Sequence, residues 1–227
     1  ASDVYKRQEA ERVDNATAVK QFNAVGTFFK WTQEEGLLGD KASPALGITL
    51  RAIKGKGKKR KPFDEAQLQQ IFSGPLYRGC ASENRRNQTG KLILRDSYYW
   101  IPLVGLFSGM RLGEIVQLRV SDIRQNGEIS YFCINKGEDD GSDDKRLKTD
   151  SSERQVPVHA FLLKAGFLEY VADAKKRNAA GRIFADIEPG KNGYYSHNFS
   201  KWFSRHLELI GAKTKRTSFH SLRHTFT

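Results

Sequence analysis

The chain has 227 residues, 38% hydrophobic and 28% charged, enough for one ordinary domain or a domain plus part of a second. A compact chain of this length buries roughly 70–75% of its extended surface, so it needs neither disulfides nor metal to fold, and the composition excludes a disordered tail. No apolar run approaches the ~20 residues that span a bilayer, no signal segment opens the chain, and the two cysteines, Cys80 and Cys133, exclude a disulfide framework and favour a reducing, cytoplasmic interior.

The 38 Lys and Arg against 26 Asp and Glu give a net charge of +12 and a pI near 9.7. A field of that sign selects polyanions, of which nucleic acid is the commonest. Charge alone names the partner class and no more.

From about Asn15 to Glu35 the apolar residues Ala16, Val19, Phe22, Val25, Phe28 and Phe29 recur at helical spacing, and Gly36 suits the stop. One amphipathic helix does not bury its own stripe, so it belongs to a bundle with other members. Residues 41–50 carry turn residues and no period. Lys54, Lys56, Lys58, Lys59, Arg60 and Lys61 then follow Arg51, interleaved with Gly55 and Gly57. Like charges this dense repel and the glycines loosen the backbone, so 51–61 reads as a linker, either a solvated loop or a strap lying on phosphates.

After the linker, Asp64 can cap a helix, Gln67 can reach back and Phe63 can staple onto Leu68. The pattern predicts helices near 64–73, 92–107, 112–120, 160–178 and 196–210. The β-branched and aromatic runs ISYFCI (129–134) and ERQVPV (153–158) predict two strands, joined by the polar tip GEDDGSDDKR, which is too acidic to be buried. The expectation is a mainly α domain with a small antiparallel β-hairpin (α+β), without internal repeats.

Three stretches carry chemistry. In Ser108-Gly109-Met110-Arg111-Leu112-Gly113-Glu114 an apolar helix ends in a turn and a second begins at once, placing Arg111 at a helix start that favours an anion. Glu114, one turn on, faces the same side and can hold the guanidinium, although an exposed Arg–Glu surface pair would give the same pattern. Lys148, at the head of KTDSSERQVPV on the return side of the hairpin, could swing into a groove and donate a proton, or be one exposed lysine among several. In His220-Ser221-Leu222-Arg223-His224, His220 and Arg223 share a helical face and suit phosphate binding and proton transfer. The spacing of His220 and His224 raises a metal site, but Ser221 stands where a zincin motif needs Glu, and the cysteines are not clustered. No metal and no cofactor are expected.

Taken in order, SGMRLGEI, KTDSSERQVPV and HSLRH resemble the catalytic domain of the tyrosine recombinases, the phage-integrase family, over roughly residues 60 to 227. The type IB topoisomerases share the same active-site logic. The resemblance implies a division into 1–50, the C-terminal part of a helical, SAM-like core-binding domain; 51–61, a basic linker; and 62–227, a catalytic domain incomplete at its C-terminus. It implies that Arg111 and Arg223 grip the scissile phosphate, that Lys148 protonates the leaving 5′ oxygen, that His220 belongs to the catalytic set and that Glu114 supports Arg111. His220 can accept the nucleophile's proton or hydrogen-bond the phosphate, and the sequence is compatible with both. Two fixed guanidinium forks stabilise charge on the non-bridging oxygens without a metal.

In the family the nucleophilic tyrosine and a second His or Trp lie downstream of the H-x-x-R box. All eight tyrosines here precede His220, so no nucleophile is assigned, and Tyr98, Tyr99, Tyr194 and Tyr195 are expected in the core or a groove wall. The expectation is a fragment, open at both ends, of a site-specific recombinase or integrase that works through a 3′-phosphotyrosine, bacterial or phage-encoded and nucleoid-associated. Its partners would be double-stranded DNA and further copies of itself on DNA, a tetrameric synapse in the family, and not a membrane. Lys54, Lys56, Lys58, Lys59, Arg60 and Lys61, with Lys213, Lys215 and Arg216, are the candidate DNA-binding cations. A non-catalytic DNA-binding protein of the same architecture is the alternative; a generic RNA-binding protein would explain the charge but not the ordered motifs.

Overall fold

The computed structural model describes residues 13, 15–39, 41–50, 60–136, 145, 153–178 and 181–226. The chain divides into two compact units, Ala1–Lys59 and Arg60–Thr227. In the first, α1 (Asn15–Glu34) is the predicted helix, and Thr32 is its one buried residue while Phe28 and Trp31 stay about half exposed.

The second unit is mainly α with a small antiparallel sheet. Its helices are α2 (Glu65–Phe72), α3 (Pro75–Arg78), α4 (Ser97–Ser108), α5 (Leu112–Val116), α6 (Ala160–Lys164), α7 (Phe167–Arg177), α8 (Tyr195–Leu209) and α9 (Phe219–Phe226). Strands β1 (Ile123–Asn126), β2 (Ile129–Ile134) and β3 (Arg154–Pro157) form one sheet in the order β1-β2-β3. The capping box at α2 is as the sequence predicts: Gln67 N donates to Asp64 Oδ1 (2.8 Å) and Asp64 N to Gln67 Oε1 (3.1 Å). Such a cap is worth about 1 kcal/mol.

Four expectations change. Helix α4 begins at Ser97 rather than 92, because Cys80 bridges Thr89 and Leu92 and Asp96 caps Tyr98 N. The helix predicted over 112–120 stops at Val116 and is followed by a 3₁₀ turn, Val120–Asp122. The helix predicted over 160–178 is split by Gly166, whose φ of +92° breaks the helical path between α6 and α7. Strand β1 is additional to the two expected strands; its sequence, IRQN, has no apolar alternation and it sits on the sheet edge, pairing with β2 in the register Ile123↔Phe132.

The core is aromatic: Trp100, Phe132, Phe167, Phe184, Phe199 and Phe203 are fully buried. In β2 the alternation is direct, with Ser130, Phe132 and Ile134 buried. One member of the acidic tip is drawn inward. Lys145 Nζ lies 2.7 Å from Asp122 Oδ1 and 2.9 Å from Asn135 Oδ1, with both ion-pair side chains nearly buried. Asp122 also accepts Arg119 N at the 3₁₀ turn, so a buried carboxylate there requires the counter-charge.

Helix α4 packs on α9, and Gly105 makes the approach possible: a Cβ there would stand 2.7 Å from Phe219 Cζ. Gly109 ends α4 in the left-handed region at φ +61°. Gly105→Ala gains about 1 kcal/mol of helix propensity but overpacks a buried ring at a cost of about 1–3 kcal/mol. Phe219 is 5% exposed and held by Phe199 and Phe203, so packing wins. A thermal melt should show Tm lowered by up to roughly 8 °C; a higher Tm would mean that Phe219 yields.

Candidate active site

Arg111 precedes α5 as its N-cap residue, on a backbone at φ −74° and ψ 147°. Its N–H donates to Glu114 Oε2 (2.9 Å) and its Nη1 to Glu114 Oε1 (2.8 Å), so one carboxylate fixes both backbone and side chain. Glu114 is 5% exposed. Helix α5 has five residues, too short for a large dipole, so the positive field comes from side chains rather than from the helix start that the sequence suggests.

Arg154, at the head of β3, completes the arrangement. Its Nη2 donates to Glu114 Oε2 (2.7 Å) and its Nη1 to Oε1 (3.2 Å), a two-pronged pair. Burial pushes the Glu114 carboxyl up, but hydrogen bonds from Arg154 and Arg111 outweigh it and hold the carboxyl below its ordinary value. Sequence reasoning passes over Arg154, because no local spacing relates positions 114 and 154.

Helix α9 turns Phe219 and Leu222 into the core and leaves His220 and His224 exposed. Thr225 Oγ1 accepts Phe63 N (3.0 Å), tying the last turn to the start of the unit. The Arg223 guanidinium is lowered from its ordinary pKa by burial first, then by the charges of Arg111 and Arg154, while Glu114 acts the other way. The His220 imidazole is lowered by burial first, then by His224, Arg223, Arg111 and Arg60. Residues from four separate stretches of sequence thus share one field. His224, in edge-to-face contact with His220 at 4.6 Å between ring centres, also escapes sequence reasoning as a member of this cluster.

The two basic stretches meet as well. Lys61 N donates to Arg216 O (3.0 Å), and Arg60 Nη1 approaches Lys215 O at 3.5 Å. Between residues 61–67 and 214–217 lies an open groove of about 560 Å³. Lys61 and Lys215 are exposed, whereas the Lys213 ammonium is turned onto Ser204 Oγ. A second open groove, of about 460 Å³, runs beside Gly113 and is walled by Tyr194, His197 and Lys201. Tyr98 and Tyr99 pack against the core, and Arg182 lies 3.6 Å over the Tyr195 ring. Lys148, Lys54, Lys56, Lys58 and Lys59 lie outside the described residues.

The model of the Phage integrase family matches residues 96–227, which hold Arg111, Glu114, His220 and Arg223. The chain belongs to the phage integrase family. Solved structures agree on the fold. The XerH site-specific recombinase bound to difH substrate, in a pre-cleavage complex, is 17% identical over 94% of this chain and 54% of that one, with a TM-score of 0.60. The Tn1549 transposon integrase in complex with a circular intermediate DNA is 17% identical over 97% of this chain and 68% of that one, also at 0.60. The chain spans about half the length of XerH. No curated protein matches it. Among the described residues no helix is long and apolar enough to cross a membrane.

Within this phage integrase fold the imidazole of His220 is expected to be neutral at pH 7, keeping one ring nitrogen as an acceptor. A proton NMR titration should place its pKa below the ordinary 6.5. Because His224 is the largest of the charges that lower it, His224→Ala should move it upward. An unmoved titration would show that His224 does not act on His220.

Proposed function

We propose that this chain carries the phosphate clamp of a site-specific DNA recombinase or integrase that cuts and rejoins strands through a 3′-phosphotyrosine. The observation that carries the reading is the convergence of Arg111, Glu114, His220 and Arg223 in one cluster. The guanidinium groups of Arg111 and Arg223, beside an imidazole whose pKa is lowered, suit a phosphodiester whose non-bridging oxygens gain charge in the transition state. Arg111 and Arg223 hold those oxygens. A tyrosine Oη passes its proton to the His220 imidazole and attacks phosphorus, the bond from phosphorus to the 5′ oxygen breaks, and Lys148 gives that oxygen its proton.

No tyrosine of this chain follows His220, so none of these 227 residues is assigned the nucleophile's part. Residues 1–50 then belong to the core-binding domain, 51–61 to the linker and 62–227 to the catalytic domain. The grooved surface at Lys61, Lys215 and Arg216 lies on backbone phosphates and positions the duplex without reading bases. Double-stranded DNA is the partner, with further copies of the protein assembled on it, in a bacterial or phage-encoded, nucleoid-associated setting.

The test is a denaturing gel of labelled nicked DNA carrying the protein's own recombination site. The 227-residue chain should bind without forming an adduct. A protein extended through a downstream tyrosine should trap a covalent 3′ adduct without added divalent metal. In that longer protein Arg111→Ala and Arg223→Ala should each slow cleavage at least ~10²-fold. A covalent shift with the 227-residue chain would mean that an upstream tyrosine attacks, and full activity of both arginine variants would refute the clamp.

A further inference from the structure

The Glu114 carboxylate is saturated. Oε1 accepts Arg111 Nη1 and Arg154 Nη1, and Oε2 accepts Arg111 N and Arg154 Nη2, which uses the roughly four lone-pair directions a carboxylate has. The division between the two arginines is unequal. Arg154 commits both terminal nitrogens in a fork, whereas the Arg111 side chain gives Glu114 a single Nη1 bond and remains 40% exposed. Arg154 also arrives from β3 rather than α5, so it ties the hairpin's return strand to the segment that carries Arg111.

Charge follows the same division. Arg111, Arg154 and Arg223 against Glu114 leave a formal excess of two positive charges; without Arg154 the excess is one. An anionic phosphate then competes with Glu114 for Arg111, and a buried carboxylate that has lost the Arg154 fork is a stronger competitor.

We propose that Arg154 is a positioning residue for Arg111: it satisfies and neutralises Glu114, so the carboxylate orients the Arg111 guanidinium without tying it up. This rests on the reading that Arg111 grips the scissile phosphate, and it gives the hairpin strand a part in the clamp separate from that of Lys148. The same neutralisation explains why a carboxylate is tolerated so near a site for an anion.

The experiment compares cleavage by the tyrosine-containing protein and its variants on the same nicked DNA, at a temperature where melting curves show all of them folded. Arg154→Met should slow cleavage about 10-fold, the scale of one charge interaction at a partly exposed site. Adding Glu114→Gln removes the unbalanced carboxylate while keeping its shape, so the double variant should recover most of that loss. Arg154→Lys, which keeps the charge and gives up the fork, should cleave faster than Arg154→Met. Arg154→Met at the parent rate, or a loss that Glu114→Gln does not recover, would overturn the inference, since a purely structural role gives no charge rescue. Arg111→Ala separates the two levels: a parent-like rate there refutes the clamp itself, whereas a slow Arg111→Ala beside a parent-like Arg154→Met refutes only the role of Arg154.

Discussion

One buried carboxylate organises this site. Glu114 would be costly to desolvate alone, by several kcal/mol, and the attraction of two guanidinium groups offsets that cost only if its hydrogen bonds are complete. They are: two donors from Arg111 and two from Arg154. The requirement fixes the distance between α5 and β3, and with it the direction in which Arg111 leaves the fold. Removing one partner of such a pair costs about 3–5 kcal/mol, so the device is as much a structural joint as a functional one.

Packing supplies the other half of the cluster. Helix α9 is seated by Phe219 among Phe199 and Phe203 and by Gly105 of α4, where the bare backbone admits the ring. Because buried side chains interdigitate at near-crystalline density, the outward face with His220 and Arg223 is held as firmly as the inward one. Phe63 and Lys61 add ties from the start of the unit to α9 and to residue 216. The basic groove and the face of α9 that carries Arg223 are thereby fastened to the same framework.

What the sequence discloses depends on how local the cause is. The α2 capping box, the alternation in β2 and the adjacency of Arg111 to Glu114 arise within four residues and are legible directly. The break at Gly166 depends on one residue taking a positive φ, which a continuous apolar pattern conceals. Arg154 and Lys145 are invisible for a different reason: each is defined by a buried carboxylate at least twenty residues earlier in the chain. The field that Arg60 shares with His220 is likewise a product of tertiary packing. The ordered motifs, by contrast, are legible because chemistry constrains residue type at each position more tightly than packing does.

The most direct measurement places a single neutral methylphosphonate at each position in turn along the recombination site and follows binding by the 227-residue chain and by its Arg111→Ala variant. If Arg111 and Arg223 grip one phosphate, affinity for the parent chain falls about 10-fold, or ~1.4 kcal/mol, at one position well above the background of its neighbours. In Arg111→Ala the loss at that position shrinks, because Arg223 alone is left to miss the charge. An identical profile for the two proteins would contradict the clamp.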